Sequence, residues 1–216
     1  MKRQRAWRPH LARLNDFFTS VVLASQSVAR KKLLEDLGIQ VTTEPTHCDE
    51  SHQETDPAKA VHLLAKRKLE EYMKVHREYE GVVITCDTLV SCDNLLIGKP
   101  ANREEAKTHL RMFSDKGQVV HSGWAMWFNN AVYDGFDEAQ VFFKALDENA
   151  IEEYLDLGEW KGAAGSYRIQ EKGKELVKHV EGDIATVIGL PLLQISEILF
   201  LTVPVSDGAE YPPLRG

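Results

Sequence analysis

Residues 82–88 contain Asp87, the residue of this sequence that is best suited to catalysis. Their sequence is Val-Val-Ile-Thr-Cys-Asp-Thr, and an apolar run rich in β-branched residues is typical of a buried strand. We expect the strand to end at Asp87, because a buried strand could not hold an unpaired carboxylate. Ligands bind in open α/β sheets beyond the carboxyl ends of the strands, so Asp87 is a candidate site residue. Lys99 follows in Gly-Lys-Pro and supplies a cation. The two residues suit metal-assisted chemistry on phosphates; the alternative is an Asp that only caps a turn.

A second candidate anion site lies where the first predicted strand, residues 19–24, leads into a helix at Ser27. The N–H groups at a helix N-terminus have no intrahelical partner and carry the positive end of the helix dipole, so they bind anions. Ser27 can offer its hydroxyl to a phosphate or only cap the helix. Arg30 can bind a phosphate through two parallel hydrogen bonds, or it can belong to a solvated basic face with its lysine neighbours.

Three further polar residues could contribute to the same site. Glu50 lies in a polar loop, and with Asp87 it could hold a divalent ion such as Mg²⁺, which takes one or two carboxylates together with substrate phosphates and water. The alternative for Glu50 is an exposed acidic loop. Lys68 lies on or near the apolar stripe of a long predicted helix, so its ammonium either reaches water or meets an anion. Gln170 can read a base edge or orient a water, or it can be a strand residue bonded to nearby backbone.

The length, composition and charge of the chain limit the classes of protein to which it can belong. With 216 residues, 43% of them apolar, the chain can form one domain or two lobes that share a sheet. A net charge of −7 argues against nucleic-acid binding, and no apolar run is long enough to span a membrane. The three cysteines have no zinc-site spacing, so we expect free thiols in a reducing compartment. The histidines have no metal-site spacing either, and His109 and His121 are predicted at the surface.

Local patterns divide the chain into alternating strands and helices. Turn residues at Asp93–Asn94 and Asn129–Asn130 predict hairpins, so an α/β fold with a mixed central β-sheet is expected. Strands are predicted at residues 19–24, 39–43, 82–88, 119–128 and 131–143, and as a pair near Ile169 and Val177. Helices are predicted at residues 27–37, 57–79, 102–113, 147–157 and 191–201.

The two ends of the chain differ from its middle in composition. Residues 1–18 are predicted to be a basic N-terminal extension, residues 19–203 a single α/β domain and residues 204–216 a flexible tail. Five basic residues precede Asp16, a pattern that organelle transit peptides and plain extensions share. We favour a plain extension and a cytoplasmic location, with organelle import as the alternative.

Eight short motifs follow one another along the chain. They are Leu23-Ala24-Ser25-Gln26-Ser27 with Arg30, Asp49-Glu50, Ala65-Lys66-Arg67-Lys68, Cys86-Asp87-Thr88, Gly98-Lys99-Pro100, Ser122-Gly123, Gly165-Ser166-Tyr167-Arg168-Ile169-Gln170 and Val187-Ile188-Gly189-Leu190-Pro191. In this order they resemble the Maf family of nucleoside triphosphate pyrophosphatases. The similarity extends from about Val21 to Leu201, which is nearly the whole predicted domain.

The resemblance implies a fold related to inosine triphosphate pyrophosphatases, with helices on both sides of the sheet and two lobes around a cleft. It implies hydrolysis of a nucleoside triphosphate to the monophosphate and pyrophosphate with a divalent cation, Mg²⁺ or Mn²⁺. It also implies a homodimer. By position, the resemblance implies phosphate binding by Ser27, Arg30, Lys68 and Lys99, metal binding by Glu50 and Asp87, activation of water by Asp87, and substrate contacts from Thr88 and Gln170.

The resemblance also bears on the choice of base. Asp87-Thr88 together with Gln170 is similar to the branch that prefers dTTP and UTP, whereas another branch has Asp-Gln and prefers 7-methyl-GTP. Three segments depart from the family: Ser27–Arg30 reads Ser-Val-Ala-Arg for Ser-Pro-Arg-Arg, Gly162–Gly165 reads Gly-Ala-Ala-Gly for Asp-Lys-Ala-Gly, and Tyr167–Glu171 reads Tyr-Arg-Ile-Gln-Glu for Tyr-Gly-Ile-Gln-Gly. The alternatives are a purine or 7-methyl-GTP pyrophosphatase and a non-catalytic nucleotide-binding regulator of cell division.

Overall fold

Seven strands form one sheet in the computed structural model, which describes residues 13–203. They are β1 (Ser20–Leu23), β2 (Gln40–Thr43), β3 (Val83–Cys92), β4 (Leu95–Ile97), β5 (Gly117–Phe128), β6 (Ala131–Phe143) and β7 (Val177–Glu181). Their order is β2-β1-β3-β5-β6-β7, and β4 pairs with the far end of β3. The pairs among β2, β1 and β3 are parallel and those from β3 to β7 are antiparallel, which confirms the predicted mixed sheet.

Helices pack on both faces of this sheet, as the resemblance implies. They are α1 (Val28–Glu35), α2 (Pro57–Val75), α3 (Arg103–Phe113), α4 (Glu148–Asp156), α5 (Ile184–Ile188) and α6 (Leu192–Thr202). Because successive side chains of a strand point to opposite faces, Val83 of β3 packs with α2 whereas Ile84 packs with α1, α5 and α6. Among residues 13–203, no helix combines the length and the apolar character needed to cross a membrane.

The core is divided between two parts of the sheet. Residues near β1 and the first half of β3 pack with α1, α2, α5 and α6. The second half of β3 and the facing part of β5 pack with α3, α4 and the segment around Tyr167. This division gives the two lobes, and β3 and β5 run through both of them.

Strand β3 continues past the point at which the sequence predicts its end. Its parallel pairing with β1 stops at Ile84, but its antiparallel pairing with β5 continues to Ser91. The prediction that the strand ends at Asp87 is therefore wrong, because β5 is long enough to go on pairing with β3. Asp87 lies in the middle of β3, in the space beyond the carboxyl end of β1. The crevice that was predicted beyond the end of the Asp87 strand therefore lies beyond the end of β1.

Helix α2 approaches the sheet closely at Gly123 of β5. A Cβ atom on Gly123 would lie 2.3 Å from the carbonyl carbon and oxygen of Val61. The hydroxyl of Thr85 also donates a hydrogen bond of 2.7 Å to the backbone carbonyl of Ala65. These contacts fix α2 over β3, which carries Lys68 to the height of Asp87.

Gly123→Ala is therefore expected to lower the free energy of unfolding by about 3 kcal/mol, the scale of overpacking in a well-packed core. The physical reason is that the new methyl group meets helix backbone, which cannot turn aside as a side chain can. Urea unfolding followed by circular dichroism measures the change. Gly98→Ala is the control, since a Cβ there has no neighbour within 4 Å. Equal stability of the two variants would contradict the close approach.

Two predicted elements differ from the structure, and one observed helix has no predicted counterpart. Helix α2 ends at Val75 rather than near Tyr79, and the short helix α5 was not predicted. Ile169 is not in a strand but in a turn between two 3₁₀ segments, Ala164–Ser166 and Lys172–Leu176. The alternative of Gln170 as a strand residue is therefore wrong. The physical reason is that this segment bonds to loops and helix side chains rather than to a neighbouring strand.

His109 and His121 are buried, so the prediction that they lie at the surface is wrong. His109 Nδ1 is hydrogen-bonded to Ser166 Oγ at 2.7 Å, and burial lowers the pKa of this imidazole. His121 is hydrogen-bonded to Ser91 Oγ at 2.8 Å and to Glu138 Oε1 at 2.7 Å. A polar side chain can be buried when it finds such partners, and here they come from segments distant in sequence.

The three cysteines are free thiols, as the sequence predicts. Cys86 of β3 is buried, and burial raises the pKa of its thiol to about 11. Because the thiolate is the reactive form, Cys86 is a core residue and not a nucleophile at neutral pH.

The predicted N-terminal extension is described from residue 13 onward. Leu14–Asp16 form a 3₁₀ turn, and Leu14 and Phe18 pack in the core. Residues 1–12 and the predicted tail, 204–216, lie outside the described residues. The boundaries of the extension and the tail stay predictions.

Candidate active site

A cleft of about 580 Å³ opens beyond the end of β1, between the start of α1 and the segment 162–170. This is the size of pockets that bind small molecules. Its lining contains all eight residues predicted for the site: Ser27, Arg30, Glu50, Lys68, Asp87, Thr88, Lys99 and Gln170. Residues up to 143 positions apart in the sequence are thus brought together, while their individual roles stay predictions.

Lys68 joins the two predicted metal ligands. Its Nζ atom lies 2.5 Å from Asp87 Oδ1 and 2.9 Å from Glu50 Oε1. Burial opposes the charged form of Lys68, but the charges and hydrogen bonds of Asp87 and Glu50 outweigh it, so its pKa lies above the ordinary value. The hydrogen bond from Lys68 in turn holds the pKa of Glu50 below its usual range. Of the two alternatives for Lys68, its ammonium meets anions rather than bulk water.

Arg30 turns into the cleft and does not form a basic face with its neighbours. Its guanidinium donates to Ser25 Oγ at 3.2 Å, to the carbonyl of Cys86 at 3.4 Å and to Thr88 Oγ1 at 2.8 Å. The buried Nε atom of Arg30 has no hydrogen-bond partner among the described residues. The other guanidinium nitrogens hold the side chain in this position through the hydrogen bonds just given.

Gly189 makes this arrangement of Arg30 possible. A Cβ atom on Gly189 would lie 2.7 Å from Thr88 Oγ1 and 2.9 Å from Arg30 Nε, and its φ of +104° is one that side-chain-bearing residues rarely adopt. Thr88 is held from the other side by Ser122, whose hydroxyl lies 3.1 Å away. Arg30 and Thr88 are therefore fixed by the fold before any ligand enters.

Ser27 combines both of the roles considered for it. It is the N-cap of α1, and its Oγ atom accepts a hydrogen bond from the Arg30 N–H at 3.3 Å. The same side chain lines the cleft, so its hydroxyl proton remains available to an acceptor there. The start of α1 thus faces the cleft with its capped N-terminus.

Lys99 and Gln170 line the cleft with exposed side chains. Lys99 follows β4, and its position is tied to the opposite segment because Gly165 N–H donates to the Gly98 carbonyl at 3.1 Å. Among residues 13–203, Lys99 has no carboxylate within ion-pair distance. Its charge is therefore available to an anion in the cleft.

The cleft also contains residues for which the sequence predicted no role in the site. Ser25 accepts hydrogen bonds from Arg30 and from the Ser27 N–H, and His47 lies on the rim. Arg168 lines the opposite wall. Ser25 could have been found from its place in the Ser-Gln-Ser motif and Arg168 from its departure from the family pattern, whereas His47 carries no local signal.

Comparison with known proteins decides the family. A family model described as Maf-like protein matches residues 20–201. The chain belongs to the Maf family. Curated relatives of this Maf-family chain are dTTP/UTP pyrophosphatases, and each alignment covers 83% of this chain. The relatives of Bacillus pumilus and Treponema denticola are both 33% identical to it, over 94% and 95% of their own lengths. The relative of Thermotoga maritima is 35% identical over 88% of its own length. The resemblance drawn from the order of the motifs is confirmed.

Proposed function

We propose that this chain hydrolyses dTTP and UTP to the monophosphate and pyrophosphate in the cleft, with Asp87 activating water. Family membership and the curated relatives identify it as a nucleoside triphosphate pyrophosphatase. The observation that carries the proposal is the pairing of Lys68 with both Asp87 and Glu50, because it places two carboxylates beside cations in one cleft. The names of the relatives and Asp87-Thr88 favour the pyrimidine nucleotides.

The charges of the cleft suit a triphosphate. Such a substrate carries about four negative charges, which must be balanced before water can attack phosphorus. Arg30, Lys68 and Lys99 supply three cations, and the capped start of α1 adds backbone N–H groups. Arg30 is held in the cleft by its hydrogen bonds to Ser25 and Thr88.

The residues of the cleft also fit a divalent cation. No group of three or more His, Cys, Asp or Glu side chains within residues 13–203 could hold a metal by itself. Mg²⁺ needs fewer protein ligands than that, because substrate phosphates and water complete its coordination. Glu50 and Asp87 are the two carboxylates that would hold it. When bound, the cation would neutralise phosphate charge and stabilise the leaving pyrophosphate.

Residues of this chain supply proton transfer and charge stabilisation in the reaction. Asp87 accepts a proton from the attacking water through a carboxylate oxygen, and Lys68 holds that carboxylate in place. The water oxygen bonds to the α-phosphorus while the bond from the α-phosphorus to the oxygen that bridges the β-phosphorus breaks, which gives the monophosphate and pyrophosphate. Arg30 and Lys99 then face the charge that develops on the leaving pyrophosphate.

A panel of triphosphates tests the proposed function. The full chain with Mg²⁺ is expected to release pyrophosphate from UTP and dTTP with a higher kcat/KM than from 7-methyl-GTP, ITP, GTP or ATP. A preference for the purine nucleotides would replace the proposal by the purine or 7-methyl-GTP alternative. Binding of UTP without any release of pyrophosphate would favour the non-catalytic regulator.

Removal of divalent metal with EDTA is expected to abolish pyrophosphate release, and added Mg²⁺ is expected to restore it. Glu50→Gln should raise the Mg²⁺ concentration that gives half-maximal activity, because one of two carboxylate ligands is lost. Asp49→Asn is the matched control, since the Asp49 carboxylate is hydrogen-bonded to Ser51 and does not line the cleft. Full activity of a preparation shown to be metal-free by elemental analysis would contradict the metal assignment.

We also propose a homodimer in the cytoplasm. The family resemblance supports the dimer, and the three free thiols suit a reducing compartment. Analytical ultracentrifugation tests the first point against the chain mass of 24.4 kDa, and imaging of a C-terminal fluorescent fusion tests the second.

A further inference from the structure

The wall of the cleft opposite α1 is made of a loop and a turn that Arg168 ties together. The loop is residues 158–164, and the turn is residues 167–170; parts of both line the cleft. Arg168 Nε donates to the Glu159 carbonyl and Arg168 Nη2 to the Lys161 carbonyl, both at 2.9 Å. Its own backbone N–H donates to the hydroxyl of Tyr154 at 3.0 Å. The guanidinium therefore connects the two segments.

The loop needs such a connection because its backbone is intrinsically free. Gly158 and Gly162 in the loop, and Gly165 directly after it, have φ near +72°, and glycine loses more conformational freedom on folding than other residues. Two further attachments are the Glu159 carboxylate, which accepts from the N–H groups of Lys172 and Gly173 at 3.2 Å, and Trp160, whose Nε1 atom donates to the Leu155 carbonyl at 3.0 Å. Arg168, Glu159 and Trp160 thus hold the loop together.

Apart from Arg168, the residues of this wall that line the cleft are neutral. Gly162, Ala163, Ala164, Tyr167, Ile169 and Gln170 contribute small, apolar or amide groups, whereas Arg30, Lys68 and Lys99 supply the charges elsewhere in the cleft. A neutral wall suits the nucleoside half of a nucleotide, and a cationic one suits its phosphates. The guanidinium of Arg168 is itself engaged with backbone carbonyls.

We propose that Arg168 is a positioning residue for the nucleoside: by holding the carbonyls of Glu159 and Lys161, it fixes residues 162–164 as the wall against which base and sugar bind. This rests on the proposed function. Arg168 stands where the family has glycine, so the device belongs to this chain and not to the family pattern. Its loss should weaken binding of the nucleoside half and leave the phosphate half unaffected.

Arg168→Ala is expected to raise KM for UTP about tenfold and to change kcat less than twofold, because a loosened wall lowers binding without touching the reacting groups. Calorimetry with the two products separates the halves of the substrate: UMP should bind about tenfold more weakly, and pyrophosphate as tightly as to wild type. Arg168→Lys should recover part of the UMP affinity, since an ammonium can keep one of the two carbonyl hydrogen bonds.

Glu171→Gln is the matched control, because Glu171 lies 3.5 Å from Arg168 but contacts neither carbonyl of the loop. Unchanged UMP affinity of Arg168→Ala, or equal losses for UMP and pyrophosphate, would overturn the proposal. Thermal unfolding verifies that each variant is folded before binding is measured. If the wild-type chain releases no pyrophosphate from any triphosphate, the proposed function fails, while the UMP measurement still decides the role of Arg168.

Discussion

Asp87→Asn is expected to lower pyrophosphate release from UTP at least about a hundredfold, the scale of a general-base contribution. The amide has the shape of the carboxylate but cannot accept a proton from water or carry a charge to a divalent cation. The fold should survive, because the amide oxygen can still accept the hydrogen bond from Lys68, and Lys68 keeps its ion pair with Glu50. The expected result is thus a folded chain that binds nucleotide and does not turn it over.

Single-turnover measurements of UMP formation at saturating UTP and Mg²⁺ test this result directly. Asp93→Asn is the matched control: it makes the same change of side chain in the hairpin turn just after β3, where Asp93 pairs with Lys116 outside the cleft. The control should keep wild-type activity. Near-wild-type turnover by Asp87→Asn would refute the assignment of Asp87 as the base.

Lys99→Ala is expected to reduce kcat for UTP about a hundredfold, the cost of removing one group that stabilises charge in a transition state. Lys99 is in none of the ion pairs formed among residues 13–203, and its charge contributes to lowering the pKa of Glu50. The effect should fall on kcat more than on KM, because the charge on pyrophosphate develops as the bond breaks. The stability of the chain should change little, since the side chain is exposed.

Steady-state kinetics at saturating Mg²⁺ measure this change. Lys59→Ala removes the same charge from the exposed side of α2, where Lys59 lies outside the cleft, and should leave kcat unchanged. A Lys99→Ala variant with the kcat of wild type would exclude Lys99 from transition-state stabilisation. A similar loss in both variants would instead mean that net charge alone matters.

Elements with local signals could be predicted from the sequence. Asn102 caps α3 through its hydrogen bond to the Glu105 N–H, and Asn129–Asn130 adopt the positive φ values of a tight hairpin. Both signals need only residues within four positions. Strands β5 and β6 are likewise found close to the predicted residues, because the tight turn at Asn129–Asn130 marks where one ends and the other begins.

Features that need distant partners could not be predicted in this way. β3 extends to Cys92 because β5 continues beside it, and His121 is buried because Ser91 and Glu138 on the neighbouring strands satisfy its ring. Neither cause is visible within a short window of sequence. The turn at Ile169 could not be predicted for the same reason, because the hydrogen-bond partners of this segment lie in the loop 158–164 and in α4.

The sequence by itself determined the residue types of the site, the order of the motifs and hence the family. It could not decide between the two alternatives for Lys68 or for Arg30, because a long cationic side chain reaches water as easily as an anion. Only the tertiary structure decided them: the close packing of α2 on Gly123 brings Lys68 to Asp87, and the absence of a side chain on Gly189 leaves room for Arg30. The physical reason is that a charge is partly buried only where the fold places an opposite charge or an acceptor beside it.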